Sequence, residues 1–182
     1  MRIIGGRWKR TRLPVPDRPG LRPTPARVRE TLFNWLGQDL SGWRCLDAFA
    51  GSGALGFEAA SRGAAEVVML ERDPTLLRSL LETRQRLAAT QVRIERADAL
   101  AWMARGEAAG FDLVFLDPPF EAAIFDAALA AAVPLVRPGG LAYLESDTAW
   151  PAPMLAALDL RLLRHLRAGA VHAHLLQAGG EG

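Results

Sequence analysis

The segment LDAFAGSGALGFEAA spans Leu46 to Ala60, and its three glycines decide how the chain is read. Gly51, Gly53 and Gly56 follow a short apolar stretch and precede a helical one, in the spacing GxGxxG. Glycine carries no side chain, so a ligand can approach the backbone where a helix begins. A strand, a glycine turn and a helix make the opening of a βαβ unit. The turn suits nicotinamide dinucleotides and S-adenosylmethionine alike, and the glycines alone do not separate the two.

Working outward, the chain alternates short apolar runs with helical ones. Strands are expected at 44–49, 66–71, 91–96, 111–117 and 141–146. Helices are expected between them, at 54–62, 74–89, 98–108 and 122–133, and the turn RPGG (137–140) precedes the fifth strand. Strands separated by helices at this spacing predict a mostly parallel sheet. LDLRLLRHLR (158–167) and AVHAHLLQA (170–178), divided by Ala168-Gly169, read as a terminal antiparallel hairpin on the sheet edge. The total is seven strands in an α/β, Rossmann-like arrangement.

Upstream lies a segment of different character. The 182 residues suit one domain plus a modest appendage. We divide the chain into a basic arm with its linker, 1–23, and an α/β domain, 24–182. In RIIGGRWKRTRLPVP, Gly5-Gly6 signals a turn between strand-like flanks, which predicts a small hairpin. The Pro-rich DRPGLRPTP follows as a linker, after which Thr24 is expected to cap a helix with Pro25 in its first position. Val28, Leu32, Phe33, Trp35 and Leu36 give that helix its apolar stripe.

Charge is distributed unevenly. Residues 1–30 hold nine cations against Asp17 and Glu30, a net of +7, so the remaining 152 residues carry −5 within the total of +2. A basic arm on an acidic body suggests a polyanionic partner. Ile3, Ile4, Trp8, Leu13 and Val15 make the arm too apolar for a disordered tail. No apolar run approaches the roughly 20 residues of a membrane helix, and MRIIGGRWKRTR lacks the apolar core of a signal peptide. A cytoplasmic location is expected. The single Cys45 excludes an internal disulfide and reads as a small core residue.

Carboxylates discriminate between the ligands the glycine turn allows. Glu71 ends the second strand 20 residues after Gly51, where it could accept both ribose hydroxyls of either one. Asp47 stands before the glycines. It would repel a pyrophosphate and attract a sulfonium and an α-ammonium. Asp98 opens a helix after the third strand, as an N-cap, an adenine contact or both.

The fourth strand runs into Asp117-Pro118-Pro119-Phe120. In a doubly wound sheet, ligands lie beyond the carboxyl ends of the strands. An exocyclic amino group on a base is a poor nucleophile, because its lone pair is delocalised into the ring. Two acceptors aimed at its hydrogens would hold it in line with a methyl donor. Asp117 and the Pro118 carbonyl could supply them. The prolines stiffen the turn and offer no N–H. Phe120 could stack on the base. Positioning would then supply much of the rate.

D/N-P-P-F/Y after a fourth strand resembles the amino-group methyltransferases. RIIGGRWKRTRLPVPD, GLRPTPARVRETLFNWL, CLDAFAGSGALGFEAASRGA and DLVFLDPPF together are similar to the RsmD family of bacterial 16S ribosomal RNA guanine-N2 methyltransferases, from Arg2 to Phe120 and more weakly beyond. The resemblance implies a class I S-adenosylmethionine-dependent fold and methylation of guanine 966 in the family's usual rRNA numbering. It implies Asp117, Pro118, Pro119 and Phe120 as the target-amine site. It implies Asp47, Phe49, Ala50, Gly51, Ser52, Gly53, Glu71, Asp98 and Ala99 as contacts to S-adenosylmethionine. Arg72 is added as a possible contact near the adenosine. Arg7, Lys9, Arg10, Arg12 and Arg22 would meet phosphates of 16S ribosomal RNA within a small-subunit particle. The linker and the helix after Thr24 would pack over the cofactor cleft. Arg27 and Arg29 would reach the cofactor carboxylate, reach the RNA, or form a solvated helix face.

No metal is expected, since His172 and His174 on a terminal strand read as a solvated face without a third ligand. His165 is read the same way. Trp35, Trp43, Trp102 and Trp150 read as filling core or interface gaps. A monomer is the simplest expectation. The rivals are a DNA adenine-N6 or cytosine-N4 methyltransferase, which needs a target-recognition region, a nicotinamide-dependent oxidoreductase, and a non-catalytic RNA-binding protein.

Overall fold

The computed structural model describes residues 1–106, 110–119 and 124–180. Its centre is one seven-stranded sheet in the order β3-β2-β1-β4-β5-β7-β6. The strands are β1 (Arg44–Asp47), β2 (Glu66–Glu71), β3 (Val92–Arg96), β4 (Phe111–Leu116), β5 (Val136–Ser146), β6 (Leu160–Ala168) and β7 (Val171–Ala178). β1 to β5 pair in parallel, whereas β7 runs antiparallel to both β5 and β6. The architecture is the expected mostly parallel sheet with a C-terminal antiparallel hairpin. The hairpin's second strand, β7, joins the sheet and its first, β6, forms the edge.

Among the described residues, six α-helices connect or flank these strands: α1 (Ala26–Leu36), α2 (Ala54–Ser61), α3 (Pro74–Leu87), α4 (Ala99–Met103), α5 (Phe125–Ala132) and α6 (Ala152–Ala157). They cover both faces of the sheet. On one face, Phe33, Phe57, Met69, Phe115 and Tyr143 share a core with the arm. On the other, Leu46, Val68, Val114, Leu144 and Leu176 pack with Leu129 of α5 and Leu155 of α6. β1, β2 and β4 read as continuous apolar runs because both faces are buried. No helix among the described residues is long and apolar enough to cross a membrane.

The chain starts in mid-sheet at β1, moves outward through β2 to β3, then crosses back to β4 on the other side of β1. The switch point therefore lies between β1 and β4, where ligands bind in such sheets. The carboxyl ends there carry Asp47 and Asp117.

Several boundaries differ from the sequence expectation. β1 ends at Asp47 instead of residue 49, because Ala48 and Phe49 turn away into the glycine loop. β5 begins at Val136, and residues 137–140 form a bulge inside the strand rather than a turn before it. α6 was not anticipated: its six residues are too few to show a period, and Pro151 and Pro153 disguise a helix start. α4 stops at Met103.

Helix α1 begins at Ala26 with Pro25 in the capping position and no side-chain cap. The expected cap, Thr24, turns the other way. Its hydroxyl donates to Asp117 Oδ2 at 3.2 Å.

The arm is stitched to the domain. Ile3 N–H donates to the Thr11 carbonyl at 2.9 Å and Arg10 N–H to that of Ile3 at 2.8 Å, around a turn wider than Gly5-Gly6 alone. Ile3, Trp8 and Leu13 are buried in the first core. The anchor is Glu58 of α2, which is fully buried and accepts from the backbone N–H groups of Ile4 and Gly5 at 2.8 Å each. Arg62 Nε meets Glu58 Oε1 at 3.0 Å, and Arg29 Nη1 lies 3.7 Å from Oε2. A β-carbon on Gly6 would sit 1.9 Å from the Ser61 carbonyl, and φ at Gly6 is +74°, so only glycine fits this approach.

Candidate active site

Alternation along each strand decides what the carboxyl ends present. Cys45, Met69, Phe115 and Tyr143 all point to the first core. Residues two further along point the same way. Thus Asp47, Glu71, Asp117 and Glu145 share one face at the strand ends. Four carboxylates in a row form an environment built for a cation.

The glycine loop places itself against this row. Gly53 has φ +80° and precedes α2. Gly51 has φ +55°, and its N–H donates to Glu71 Oε2 at 2.9 Å. Glu71 Oε1 accepts from Asp73 N–H at 2.8 Å, which fixes the carboxylate between two turns. A β-carbon on Gly56 would lie 2.4 Å from Met69 Cε and 3.0 Å from Asp47 Oδ2. The third glycine thus lets α2 close on β2 and on the carboxylate. Gly56 N–H donates to Asp47 Oδ2 at 2.9 Å. The N-terminus of α2 already holds a negative charge, so a pyrophosphate would meet Asp47 there and not a free helix end.

Burial raises the Asp47 carboxyl to about 7, opposed by the Gly56 N–H bond and assisted by the nearby Glu71 charge. Asp117 is likewise raised well above the carboxylate range, by desolvation first and then by Glu145, with the Thr24 hydroxyl acting the other way. Glu145 is raised by burial, while the Tyr143 and Thr24 hydroxyls favour its ionised form. Tyr143 OH donates to Glu145 Oε1 at 2.8 Å.

The remaining predicted residues fall around this centre. Pro118 is buried and Pro119 exposed beyond Asp117; Phe120 lies outside the described residues. Ala50 and Ser52 are buried and Phe49 is half-buried in the glycine loop. Asp98 caps α4 by accepting from Ala101 N–H at 2.9 Å, with Ala99 buried beside it and Arg72 exposed. The linker crosses the loop: Arg18 pairs with Asp73, and Leu21 Cδ1 approaches Gly51 so closely that a β-carbon there would lie 3.0 Å away.

Arg7, Lys9, Arg10, Arg12 and Arg22 are exposed, and none forms an ion pair among the described residues. The arm's turn rests on Ser61, at the end of α2 remote from the glycine loop. Arg86 Nη2 meets the Arg12 carbonyl near the end of α3, whereas Arg18 meets Asp73 at its start. At a rise of 1.5 Å per residue these points are about 20 Å apart. The arm's cations and the carboxylates therefore occupy opposite ends of the sheet, joined by the linker. Arg29, one expectation for which was a solvated face, is buried: Nη1 donates to the Arg2 carbonyl at 2.9 Å. Arg27 is exposed.

His174 also differs from expectation. It is buried, accepts from Trp150 N–H at 3.1 Å, and burial lowers it to about 4. Among the described residues no group of three His, Cys, Asp or Glu side chains is arranged to hold a metal ion. The depression lined by Phe125, Asp126, Asp147, Trp150 and Met154 contains none of the four carboxylates. Thr24, Tyr143 and Glu145 were missed as site residues. Alternation in LAYLES and the pairing of β5 with β4 were the signals that could have found the last two.

Residues 1–177 match the family described as Conserved hypothetical protein 95. "Ribosomal RNA small subunit methyltransferase D" of Escherichia coli K12 is 40% identical over 188 aligned positions, covering 100% of this chain and 92% of that protein. Its Haemophilus influenzae namesake is 38% identical, covering 97% and 93%. The solved structure of Escherichia coli yhhF is 34% identical, covers 100% and 99% of the two chains, and superposes with a TM-score of 0.84. P. horikoshii TYW2 in complex with MeSAdo is similar in fold alone, at 16% identity and a TM-score of 0.67, covering 86% of this chain and 62% of that one. With the carboxylate row, the glycine loop and the full-length match in hand, the chain belongs to the RsmD family and has the Rossmann-like methyltransferase fold.

Proposed function

We propose that the protein transfers a methyl group from S-adenosylmethionine to the exocyclic N2 of a guanine in 16S ribosomal RNA, at position 966 by family resemblance. The observation that carries the reading is the placement of Asp117 at the switch point, on the same face as Asp47 and the glycine loop. The curated relatives of this length are named ribosomal RNA small subunit methyltransferases, which supports the substrate class.

The donor set suits the cofactor. Asp47 lies within reach of positive charge, Glu71 has carboxylate oxygens for ribose hydroxyls, and Asp98 with Ala99 borders the adenine side. Phe49, Ala50, Gly51, Ser52 and Gly53 supply close backbone approach. When bound, S-adenosylmethionine supplies an electrophilic methyl group. The protein's part is positioning: Asp117 and the Pro118 carbonyl accept from the target amine, holding its nitrogen in line. Phe120 is assigned to stack on the guanine, which must be looped out to reach it. Arg7, Lys9, Arg10, Arg12 and Arg22 hold RNA phosphates, and the substrate is a small-subunit particle.

Asp47 at the start of α2 disfavours a dinucleotide, since it would face the pyrophosphate. A fluorescence titration with NADH tests that rival. The DNA amino-methyltransferase alternative is tested by offering duplex DNA beside rRNA. The decisive experiment incubates the protein with methyl-labelled S-adenosylmethionine and small-subunit particles lacking the modification, then maps the labelled nucleotide. Label on a guanine N2 is expected. Label elsewhere, or none, rejects the reading. Asp117→Ala is expected to abolish transfer while the cofactor still binds, and a near-parental rate would remove Asp117 from its role.

A further inference from the structure

A fully buried carboxyl beside a second, half-buried one needs a reason. Glu145 is 2% exposed and belongs to no ion pair among the described residues. It stands on β5 beside the end of β4, because Leu116 pairs with Leu144 and the next residues are Asp117 and Glu145. Its Oε1 accepts from the Tyr143 hydroxyl at 2.8 Å. The Thr24 hydroxyl donates to Asp117 Oδ2 at 3.2 Å and also acts on Glu145, whose ionised form it favours. Thr24 is itself buried.

One hydroxyl has one proton to give. If both acids were ionised, Thr24 could serve only Asp117 and Tyr143 only Glu145, and two like charges would face each other with no cation between them. The arrangement is satisfied in one direction when a single proton is shared. Tyr143 donates to Glu145, a protonated Glu145 donates to Thr24 Oγ1, and Thr24 donates to Asp117 Oδ2. Asp117 then stays an anion with its oxygens oriented, and the second one is turned to the amine. The groups facing Asp117 are Glu145 from β5, Asp47 from β1 and Thr24 from the linker; those facing Glu145 are Tyr143, Thr24 and Asp117.

We propose that Glu145, held by Tyr143 and acting through the Thr24 hydroxyl, is a positioning residue that keeps Asp117 an oriented acceptor for the target amine. The proposal rests on the methyl-transfer reading for its role in turnover, but the proton sharing itself exists in the free protein. It also makes the linker part of the site: Thr24 follows directly on the segment that crosses the glycine loop, so displacing that segment withdraws the donor from Asp117.

The test has two arms. In the first, carboxyl-carbon NMR follows the titration of Asp117 in the parent and in Glu145→Gln. Loss of the neighbouring acid is expected to move the Asp117 midpoint to lower pH by roughly one unit, as for other paired carboxyls. An unchanged midpoint overturns the proposal whatever the substrate proves to be. In the second arm, kcat and its acid limb are measured on small-subunit particles. Thr24→Val is expected to lower kcat about 10- to 100-fold, as expected for losing a hydrogen bond to a charged group, with the Kd for S-adenosylmethionine unchanged. Thr24→Ser is expected to restore kcat, and Glu145→Gln to move the acid limb down with the NMR midpoint. Parental kcat and an unmoved limb in folded Thr24→Val and Glu145→Gln overturn the proposal. A parent that methylates nothing, together with a shifted midpoint, rejects the function reading alone.

Discussion

Asp47 favours its neutral state in the ligand-free fold, and on the proposed reading its anion when the cofactor's cation binds. Burial lifts it to about 7, above the ordinary carboxylate value of 3.8. A carboxyl whose folded value is raised binds more protons when folded, so stability falls as pH rises between the two values. Asp117 and Glu145 are shifted the same way. The ligand-free protein is therefore expected to lose Tm as pH rises from 3.8 through about 7, and Asp47→Asn to flatten that loss. A flat parental Tm over this range would contradict the shift. A cation beside Asp47 favours the anion, so the affinity for S-adenosylmethionine should rise through pH 7, with proton release on binding. Calorimetry in two buffers of different ionisation enthalpy measures that release. In Asp47→Asn the release should vanish and the affinity should fall by about tenfold, equivalent to roughly 1.4 kcal/mol. The position of Asp47 before the glycines was legible in the sequence, as was its charge argument. Its bond to Gly56 was not, because that bond depends on how closely α2 approaches β1.

Helix α2 shows what the element scale hides from a linear reading. Its eight residues are all buried and carry no amphipathic stripe, because the arm covers the side that would otherwise face water. Glu58 in such a helix looks like a surface acid in sequence. Instead it gathers Ile4, Gly5 and Arg29, which lie up to 54 positions away and cannot be read from spacing, together with Arg62 one helical turn on. Glu58→Gln leaves two buried guanidinium groups without their counter-charge. It is expected to cost about 3–5 kcal/mol, the usual effect of breaking a buried pair. Thermal melts should then show a Tm lower by roughly 6–20 °C for a chain of this size. A loss under one degree would mean that water, not Glu58, satisfies the arginines. The strands β1, β2 and β4 were readable as apolar runs bounded by glycines and acids, β3 by its alternation, and β5 only from residue 141. Helix α6 was not, because proline at a helix start resembles proline in a loop, whereas the start of α1 was read one residue early.

At the scale of the whole molecule, the largely buried carboxylate row and the arm's exposed cations lie at opposite ends of the sheet. The carboxylate row lies at the carboxyl ends of the strands, and the arm's cations lie about 20 Å away along α3. An RNA bound by both would have to run the length of this face. Arg7→Ala with Lys9→Ala should weaken binding of small-subunit RNA and reduce the slope of log K against log salt by roughly 1.5, the amount for two lost phosphate contacts. The Kd for S-adenosylmethionine should not change, since the arm touches none of its residues. An unaltered salt slope would move the RNA elsewhere. The charge imbalance of the arm was plain from composition; its distance from the site followed only from the direction of α2 and α3. The anchoring of the arm also has a consequence for biosynthesis. Ile4 and Gly5 leave the ribosome more than fifty residues ahead of Glu58, the acid that captures them. At about 5–20 residues per second, a cationic and partly apolar strip stays unsheltered for several seconds on every nascent chain, beside the polyanionic RNA of the ribosome that makes it.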